Sequence, residues 1–153
     1  MSAGCVRVDL RDGGVRVLTM DKPPVNALGR ELVDGLAKAF VSLREDRDAR
    51  CLVVRSAGSH FCAGADLKER RGMTEAEVRA FVPQLAAVCK AAAALPFPTI
   101  AAVRGTAAGG GCELALACDL RILADDARIG LRETALAILP GAGGTVRDRK
   151  SVV

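Results

Sequence analysis

Apolar and polar residues alternate near the start of the chain, and mostly apolar runs follow later. Residues Val6–Leu10 alternate apolar with charged side chains, and a turn containing Gly13 and Gly14 leads to a second apolar segment, Val15–Met20. Two short strands joined by such a turn predict a β-hairpin. The later apolar runs are residues 51–55, Thr99–Val103 and Leu120–Leu123. Runs of this kind are typical of parallel strands that helices cover.

Two helices are predicted between these strands. Residues 31–44 repeat large apolar side chains at helical spacing, which places them on one face. These side chains are Leu32, Leu36, Phe40 and Leu43. Thr74 and Glu77 form a capping-box signature, which predicts a long helix that extends to about residue 95 and is kinked at Pro83. A hairpin followed by repeated strand and helix predicts an α/β domain with a largely parallel sheet.

Composition narrows the classes of function. The 153 residues suffice for one domain with a core, and an apolar content of 50% excludes a disordered chain. The net charge of +4 is modest, and four Phe with no Trp or Tyr offer few platforms for base stacking, so nucleic acid is not the favoured partner. Six cysteines without CxxC spacing and a single histidine argue against a zinc site and for reduced packing residues in a cytosol-like compartment. No apolar run is long enough to cross a membrane.

A run of three glycines offers the strongest sign of chemistry. Gly109, Gly110 and Gly111 stand between an apolar strand and a short apolar helix, where backbone N–H groups can closely approach a ligand. Glu113 falls in the first turn of that helix, where it could simply complement the helix dipole. Residues 114–118 are so apolar that the helix is expected to be buried, and a buried carboxylate needs a partner or a catalytic role. Such a site can hold an oxyanion and move a proton.

Other chemistries lack the residues they need. The glycine-rich segment has neither the Lys and Ser/Thr of a phosphate-binding loop nor the GxGxxG of a dinucleotide fold. His60 is the sole histidine and no GxSxG is present, so we interpret His60 as an exposed loop residue rather than part of a triad. On spacing alone, Glu133 beside Arg132 and Asp66 near Lys68 are read as exposed surface pairs.

Three motifs in order give the chain a family resemblance. They are FCAGADLK at 61–68, GGGCELA at 109–115 and LAILPGAGGT at 136–145. Together they closely resemble the enoyl-CoA hydratase/isomerase (crotonase) family, and most of all its methylglutaconyl-CoA hydratase branch and the related bacterial enoyl-CoA hydratases. The resemblance covers residues 6–145. It implies a spiral of repeated ββα units, with residues 1–145 forming the N-terminal core of a domain whose C-terminal helical part is missing.

The resemblance also implies the site. An acyl-CoA thioester would place its carbonyl oxygen between the N–H groups of Ala65 and Gly110, with Glu113 as base and Glu133 as acid. Two carboxylates favour addition of water to a 2-enoyl-CoA over double-bond isomerisation. Neither a metal nor a separate cofactor is implied, because coenzyme A is part of the substrate. The residues expected to contact the CoA thioester are Ala63, Gly64, Ala65, Asp66, Leu67, Lys68 and Gly110.

Alternatives to hydration stay open at this point. They are isomerisation or another reaction of the family, a non-catalytic fragment, and an RNA-binding module, which the interleaved charges of residues 30–50 support little. Complete members of the family are expected to form homotrimers or hexamers. A bacterial cytoplasmic enzyme is expected, with the mitochondrial matrix as the alternative if a transit peptide is absent from this chain.

The end of the chain departs from the family pattern. The family continues after Gly-Gly-Thr with Gln-Arg-Leu, whereas residues 146–153 read VRDRKSVV. We therefore expect residues 146–153 to lie outside the family domain, and hypothesise that the last six residues are the translation of a sequencing adapter joined to the gene sequence. Surfaces that pack against the missing helices are expected to be exposed, with weak stability as the result.

Overall fold

The computed structural model describes residues 2–148, with side chains described from Gly4 onward. Residues 149–153 of the predicted tail lie outside the described residues, so the hypothesis about the origin of the tail stays a prediction. The strands are β1 (Ser2–Ala3), β2 (Val6–Leu10), β3 (Val15–Met20), β4 (Cys51–Ser56), β5 (Thr99–Val103), β6 (Thr106–Ala108), β7 (Leu120–Leu123) and β8 (Arg128–Gly130). The helices are α1 (Arg30–Glu45), α2 (Leu67–Arg71), α3 (Glu75–Ala93), α4 (Gly110–Ala117) and α5 (Gly144–Arg147), with short 3-10 helices at Asp12–Gly14 and Glu133–Leu136.

Six strands form the main sheet in the order β1-β2-β3-β4-β5-β7. β2 and β3 pair antiparallel, with Val6 opposite Met20, which confirms the predicted hairpin. From β3 onward the pairs β3–β4, β4–β5 and β5–β7 are all parallel, and Val54 stands beside both Leu18 and Ala101. The predicted α/β class with a largely parallel sheet is therefore confirmed.

A second, shorter row of extended segments runs beside the main sheet. β6 and β8 pair in parallel, and single parallel bridges join Leu28 to Ala65 and Cys62 to Ala107. After each of β3, β4, β5 and β7, the chain thus adds one segment to this second row. This repetition is the spiral of ββα units that the family resemblance implies. The sequence pattern missed β6 and β8, because three-residue strands are too short to show a period.

The core lies between the main sheet and the helices. The apolar face of α1 is buried as predicted, with Leu32, Leu36, Phe40 and Leu43 each at most 1% exposed. Both hydrogen bonds of the capping box at Thr74 and Glu77 are present at the start of α3. That helix continues through Pro83 to Ala93.

The strand at one edge of the main sheet is exposed, although the sequence predicted that helices cover it. All four residues of β7 are exposed, with Leu120 at 57%, Ile122 at 63% and Leu123 at 49%. The apolar run predicted a covered strand, but β7 is the last strand of its sheet. Hydropathy alone does not distinguish a central strand from an edge strand, which explains the error. Among residues 2–148 no helix has the length and apolar character needed to cross a membrane.

The cysteines and the histidine have structural surroundings. All six cysteines are free thiols; five are buried, while Cys51 is half-buried. Burial raises the pKa of Cys62 and of Cys118 to about 12, so these thiols stay protonated and act as packing residues, as predicted. His60 is half-buried, and its Nδ1 accepts a hydrogen bond from the amide of Thr106 at 3.2 Å. The interpretation of His60 as an exposed loop residue was therefore wrong.

Candidate functional site

One cavity of about 210 Å³ brings together the four residues predicted to be catalytic. Ala65, Gly110, Glu113 and Glu133 all line it. Its remaining walls come from α2, α3 and the segment that follows the 3-10 helix at Glu133–Leu136. The other lining residues are Ala63, Gly64, Leu67, Arg70, Val82, Leu85, Ala108, Gly109, Arg132, Leu136, Ile138, Leu139, Gly141 and Ala142.

The loop that carries Ala65 is fixed by backbone hydrogen bonds to residues 25–28. The amide of Leu28 donates to the carbonyl of Gly64 at 2.8 Å, and the amide of Asp66 donates to the carbonyl of Leu28 at 3.2 Å. In a parallel bridge of this kind, the N–H between the two bonded residues points away from the neighbouring strand. The N–H of Ala65 accordingly finds no acceptor among residues 2–148.

Gly110 supplies the second free amide. It is the first residue of α4, so its N–H has no acceptor within the helix, and none exists elsewhere in the described chain. A Cβ built on Gly64 would lie 3.3 Å from the nitrogen of Gly110, so the two segments are in contact. Gly64 has φ +90°, and the same Cβ position would lie 2.6 Å from the carbonyl oxygen of Ala108. No residue with a side chain therefore fits there. Two free N–H donors thus line one cavity from adjacent segments.

Glu113 is held by the segment that begins at Gly141. The side chain lies in the first turn of α4 and is only 3% exposed. Its Oε1 accepts hydrogen bonds from the amides of Ala142 at 2.7 Å and Gly144 at 2.8 Å. Charge-assisted bonds to backbone amides make burial of a carboxylate tolerable. Both bonds are to Oε1, which leaves Oε2 without a protein partner within residues 2–148.

Glu133 is buried with an unsatisfied oxygen. It begins the 3-10 helix and is 8% exposed, and its Oε2 has no hydrogen-bond partner among the described residues. Its Oε1 lies 3.1 Å from the position a Cβ would take on Gly109, so the carboxylate stands against the start of α4. The interpretation of Glu133 and Arg132 as an exposed surface pair was wrong, because the glutamate faces inward and forms no ion pair with its neighbour. A buried polar atom without a partner is rare in proteins and marks a place for a ligand or water.

Asp66 and Lys68 have other roles than a mutual pair. Asp66 Oδ1 accepts hydrogen bonds from the amides of Lys68 and Glu69, both at 3.1 Å, and so caps α2. Its Oδ2 lies 3.4 Å from the Nζ of Lys22. The amide of Glu69, followed by Lys22, holds the pKa of Asp66 below its ordinary value. Neither Asp66 nor Lys68 lines the cavity, so their predicted contact with coenzyme A stays a prediction.

Several lining residues were missed by reasoning from sequence. Val82 and Leu85 share one face of α3, and their three-residue spacing is a visible signal, but it does not say which face meets a cavity. Ala142 and Gly144 lie within the motif at 136–145, but the motif does not show that their amides bind a carboxylate, because that role depends on the fold bringing them to Glu113. Within the described part of the chain, no three His, Cys, Asp or Glu side chains are grouped so as to hold a metal ion.

Comparison with known proteins gives these residues a context. The profile of the enoyl-CoA hydratase/isomerase family matches residues 11–152. The chain is 54% identical over 136 residues to the bovine mitochondrial enoyl-CoA hydratase domain-containing protein 2, covering 88% of this chain and 46% of the relative. It is 52% identical over 128 residues to human mitochondrial methylglutaconyl-CoA hydratase, covering 83% of this chain and 38% of the relative.

A solved structure extends the likeness to three dimensions. The crystal structure of enoyl-CoA hydratase from Bacillus anthracis superposes with a TM-score of 0.89 at 43% identity, covering 94% of this chain and 56% of that one. The chain therefore spans about half the length of the proteins it matches.

Proposed function

The chain belongs to the enoyl-CoA hydratase/isomerase family, and we propose that it forms the part of a 2-enoyl-CoA hydratase that holds the thioester and the reacting double bond. One observation carries the proposal. The free amides of Ala65 and Gly110 line the same cavity as the buried carboxylates of Glu113 and Glu133.

The two amides would stabilise negative charge on the thioester oxygen. As water attacks Cβ, the electrons of the double bond move to the thioester carbonyl, whose oxygen gains the charge. The N–H groups of Ala65 and Gly110 are already free and already held by their neighbours, so little reorganisation is needed. Loss of one such donor typically raises the barrier by about 3 kcal/mol.

The two carboxylates would complete the transfer of water. Glu113 accepts one proton from the water whose oxygen forms the new bond to Cβ, and protonated Glu133 donates a proton to Cα. One H and one OH are thereby added across the double bond, and a proton then returns from Glu113 to Glu133. The unpartnered Oε2 of Glu133 and the free Oε2 of Glu113 are available to hold that water.

Isomerisation is the second reaction that the family name includes. It moves a proton between two carbons of the acyl chain and needs no water held between two acids. The presence of two buried carboxylates at the cavity supports hydration. The human relative is named for methylglutaconyl-CoA, and this supports placing the chain in that branch.

The proposal also covers the binding partners and the cellular location of the protein. Coenzyme A would enter as part of the substrate, with no separate cofactor, and the whole protein would form trimers or hexamers. Nucleic acid is not a favoured partner, since Arg30 pairs with Glu69 and Glu77, and Lys38 pairs with Asp34. The mitochondrial names of the bovine and human relatives favour the mitochondrial alternative over the bacterial cytoplasm.

The test separates binding from chemistry. Calorimetry of the 153-residue chain with crotonyl-CoA is expected to show binding at one site. Incubation of the chain with crotonyl-CoA and with a 3-enoyl-CoA, followed by mass spectrometry, is expected to add the mass of water to crotonyl-CoA. Appearance of the absorbance of a conjugated 2-enoyl thioester from the 3-enoyl-CoA, with no change of mass, would identify an isomerase, and absence of any thioester binding would refute the proposal.

A further inference from the structure

Two polar side chains outside the cavity hold the loop that leads to Ala65. One of them, Asn26, is 4% exposed and has φ +51°, a left-handed conformation that asparagine tolerates better than most residues. Its Nδ2 donates to the carbonyl of Phe61 at 3.0 Å and to the carbonyl of His60 at 3.3 Å. The same group donates to the Oγ of Ser56 at 2.8 Å. Asn26 therefore ties the loop to the segment after β3 and to the end of β4.

The second side chain, His60, joins the same loop to β6. Where the loop and β6 run parallel, the amide of Cys62 donates to the carbonyl of Thr106, and the amide of Ala108 donates to the carbonyl of Cys62. The next bond of a regular ladder would run from the amide of Thr106 to the carbonyl of His60. That carbonyl accepts from Asn26 instead, and the imidazole Nδ1 of His60 is the acceptor for Thr106, at 3.2 Å.

These two contacts link the segments that carry the free amides. The loop continues from His60 to Ala65, and β6 continues directly into the glycines at which α4 begins. The ring of Phe61 is 0% exposed and anchors the loop, but apolar burial has no preferred direction. Donors to a reacting oxygen must lie within about 0.5 Å of their working position. Directional hydrogen bonds supply this precision where apolar packing does not.

We propose that Asn26 and His60 are positioning residues, which set the spacing between the N–H groups of Ala65 and Gly110 and so determine how strongly both bind the thioester oxygen. The inference rests on the proposed function of the cavity. Neither side chain lines the cavity, so each acts through the backbone that it holds. Loss of either contact is expected to let the segment of Ala65 shift relative to α4 while the chain stays folded.

The experiment measures how strongly the protein polarises a thioester that cannot be hydrated. Butyryl-CoA has no double bond, and a heavy carbon isotope at its carbonyl isolates that band in infrared difference spectra. On binding to the full chain, the band is expected to move to lower frequency, because two N–H donors weaken the C=O bond. His60→Leu removes the acceptor for Thr106, and Asn26→Asp turns an oxygen toward two carbonyls. Each is expected to lose about half of the shift or more.

Two further variants separate positioning from stability. His60→Asn keeps an acceptor oxygen close to the place of Nδ1 and is expected to restore the full shift. Thr99→Val breaks the hydrogen bonds of 2.9 Å between the buried Thr99 hydroxyl and Asp119, which do not line the cavity, and is expected to keep the shift. Affinity for free coenzyme A, which lacks the carbonyl, is measured by calorimetry and should stay within about twofold in every variant.

Each other outcome has a distinct meaning. A full shift in either His60→Leu or Asn26→Asp would overturn the inference, and so would failure of His60→Asn to restore it. Equal loss of the shift in Thr99→Val, or loss of coenzyme A binding together with the shift, would show a purely structural role and would also overturn it. An unchanged chain that binds butyryl-CoA without any shift would instead refute the proposed function, because no pair of amides would then hold the thioester oxygen.

Discussion

The surroundings of Glu113 and Glu133 differ although both carboxylates are buried in one cavity. Glu113 gives Oε1 to two backbone amides, those of Ala142 and Gly144. Glu133 has an oxygen, Oε2, with no partner among residues 2–148. One carboxylate is therefore part of the hydrogen-bonded structure, and the other is held in place by packing.

This difference indicates how the two acids would divide their work. A base that must accept a proton from a water in a fixed position gains from an orientation set by rigid backbone donors. An acid that must exchange a proton with the substrate gains from an oxygen that no protein group occupies. An unpaired buried oxygen destabilises the folded chain, so its retention at Glu133 is more readily explained by function than by stability.

Removal of either proton-transferring carboxyl group should have the largest effect. In any form of the protein that hydrates crotonyl-CoA, Glu113→Gln and Glu133→Gln are each expected to lower turnover by about 10²–10⁴-fold, because each removes a proton-transfer group. The glutamine at 113 keeps an oxygen that accepts the bonds from Ala142 and Gly144, so the fold should be retained. Turnover followed by loss of the conjugated thioester, with circular dichroism for the fold, measures both effects.

The same pair of variants can contradict the assignment. Near-normal hydration by Glu113→Gln would remove Glu113 from the mechanism, and the same result at position 133 would remove the proposed acid. Glu31→Gln serves as a control, because Glu31 lies on α1 and does not line the cavity.

Replacement of each glutamate by leucine should change the free energy of unfolding by different amounts at positions 113 and 133. Glu113→Leu leaves the buried amides of Ala142 and Gly144 without an acceptor, which typically costs about 1–3 kcal/mol of unfolding free energy. Glu133→Leu replaces a buried carboxyl group that has an unpartnered oxygen with an aliphatic side chain, and is expected to be neutral or stabilising. Urea unfolding of both variants gives the comparison, and equal losses of stability would show that Glu133 has a partner in solution.

The elements with a clear period were predictable from the sequence. The hairpin, the buried face of α1 and the start of α3 all follow from patterns of a few residues. The burial of Glu113 also followed, because apolar neighbours on a short helix leave few ways to expose it.

Features that depend on the assembled fold were not predictable. Spacing alone missed the burial of Glu133, because an adjacent acid and base such as Glu133 and Arg132 suggest an exposed pair. Exposure of β7 was missed because an apolar run does not reveal whether its strand lies at the edge of a sheet. The partner of Asp66 proved to be Lys22, which is 44 residues away in sequence and adjacent only after folding. In each case the deciding contact comes from a distant part of the chain.

A third carboxylate, Asp66, offers the smallest and most specific test of the comparison, because it serves structure beside the same cavity. Its pKa is held below the ordinary value, first by the amide of Glu69 and then by Lys22. A carboxyl whose folded pKa is depressed contributes stability fully above its unfolded pKa of about 3.9, and loses that contribution as the pH falls through the lower folded value.

Asp66→Asn can still cap α2 but carries no charge. The free energy of unfolding in urea is measured for both proteins at successive pH values from about 6 to about 2.5. Near pH 6 the unchanged chain should be more stable than Asp66→Asn by about 1 kcal/mol or less. The difference should vanish at the acid end of the series. Asp34→Asn, at an exposed pair on α1, is the control, and a difference for Asp66→Asn that stays constant with pH would show that its charge does not support the loop carrying Ala65.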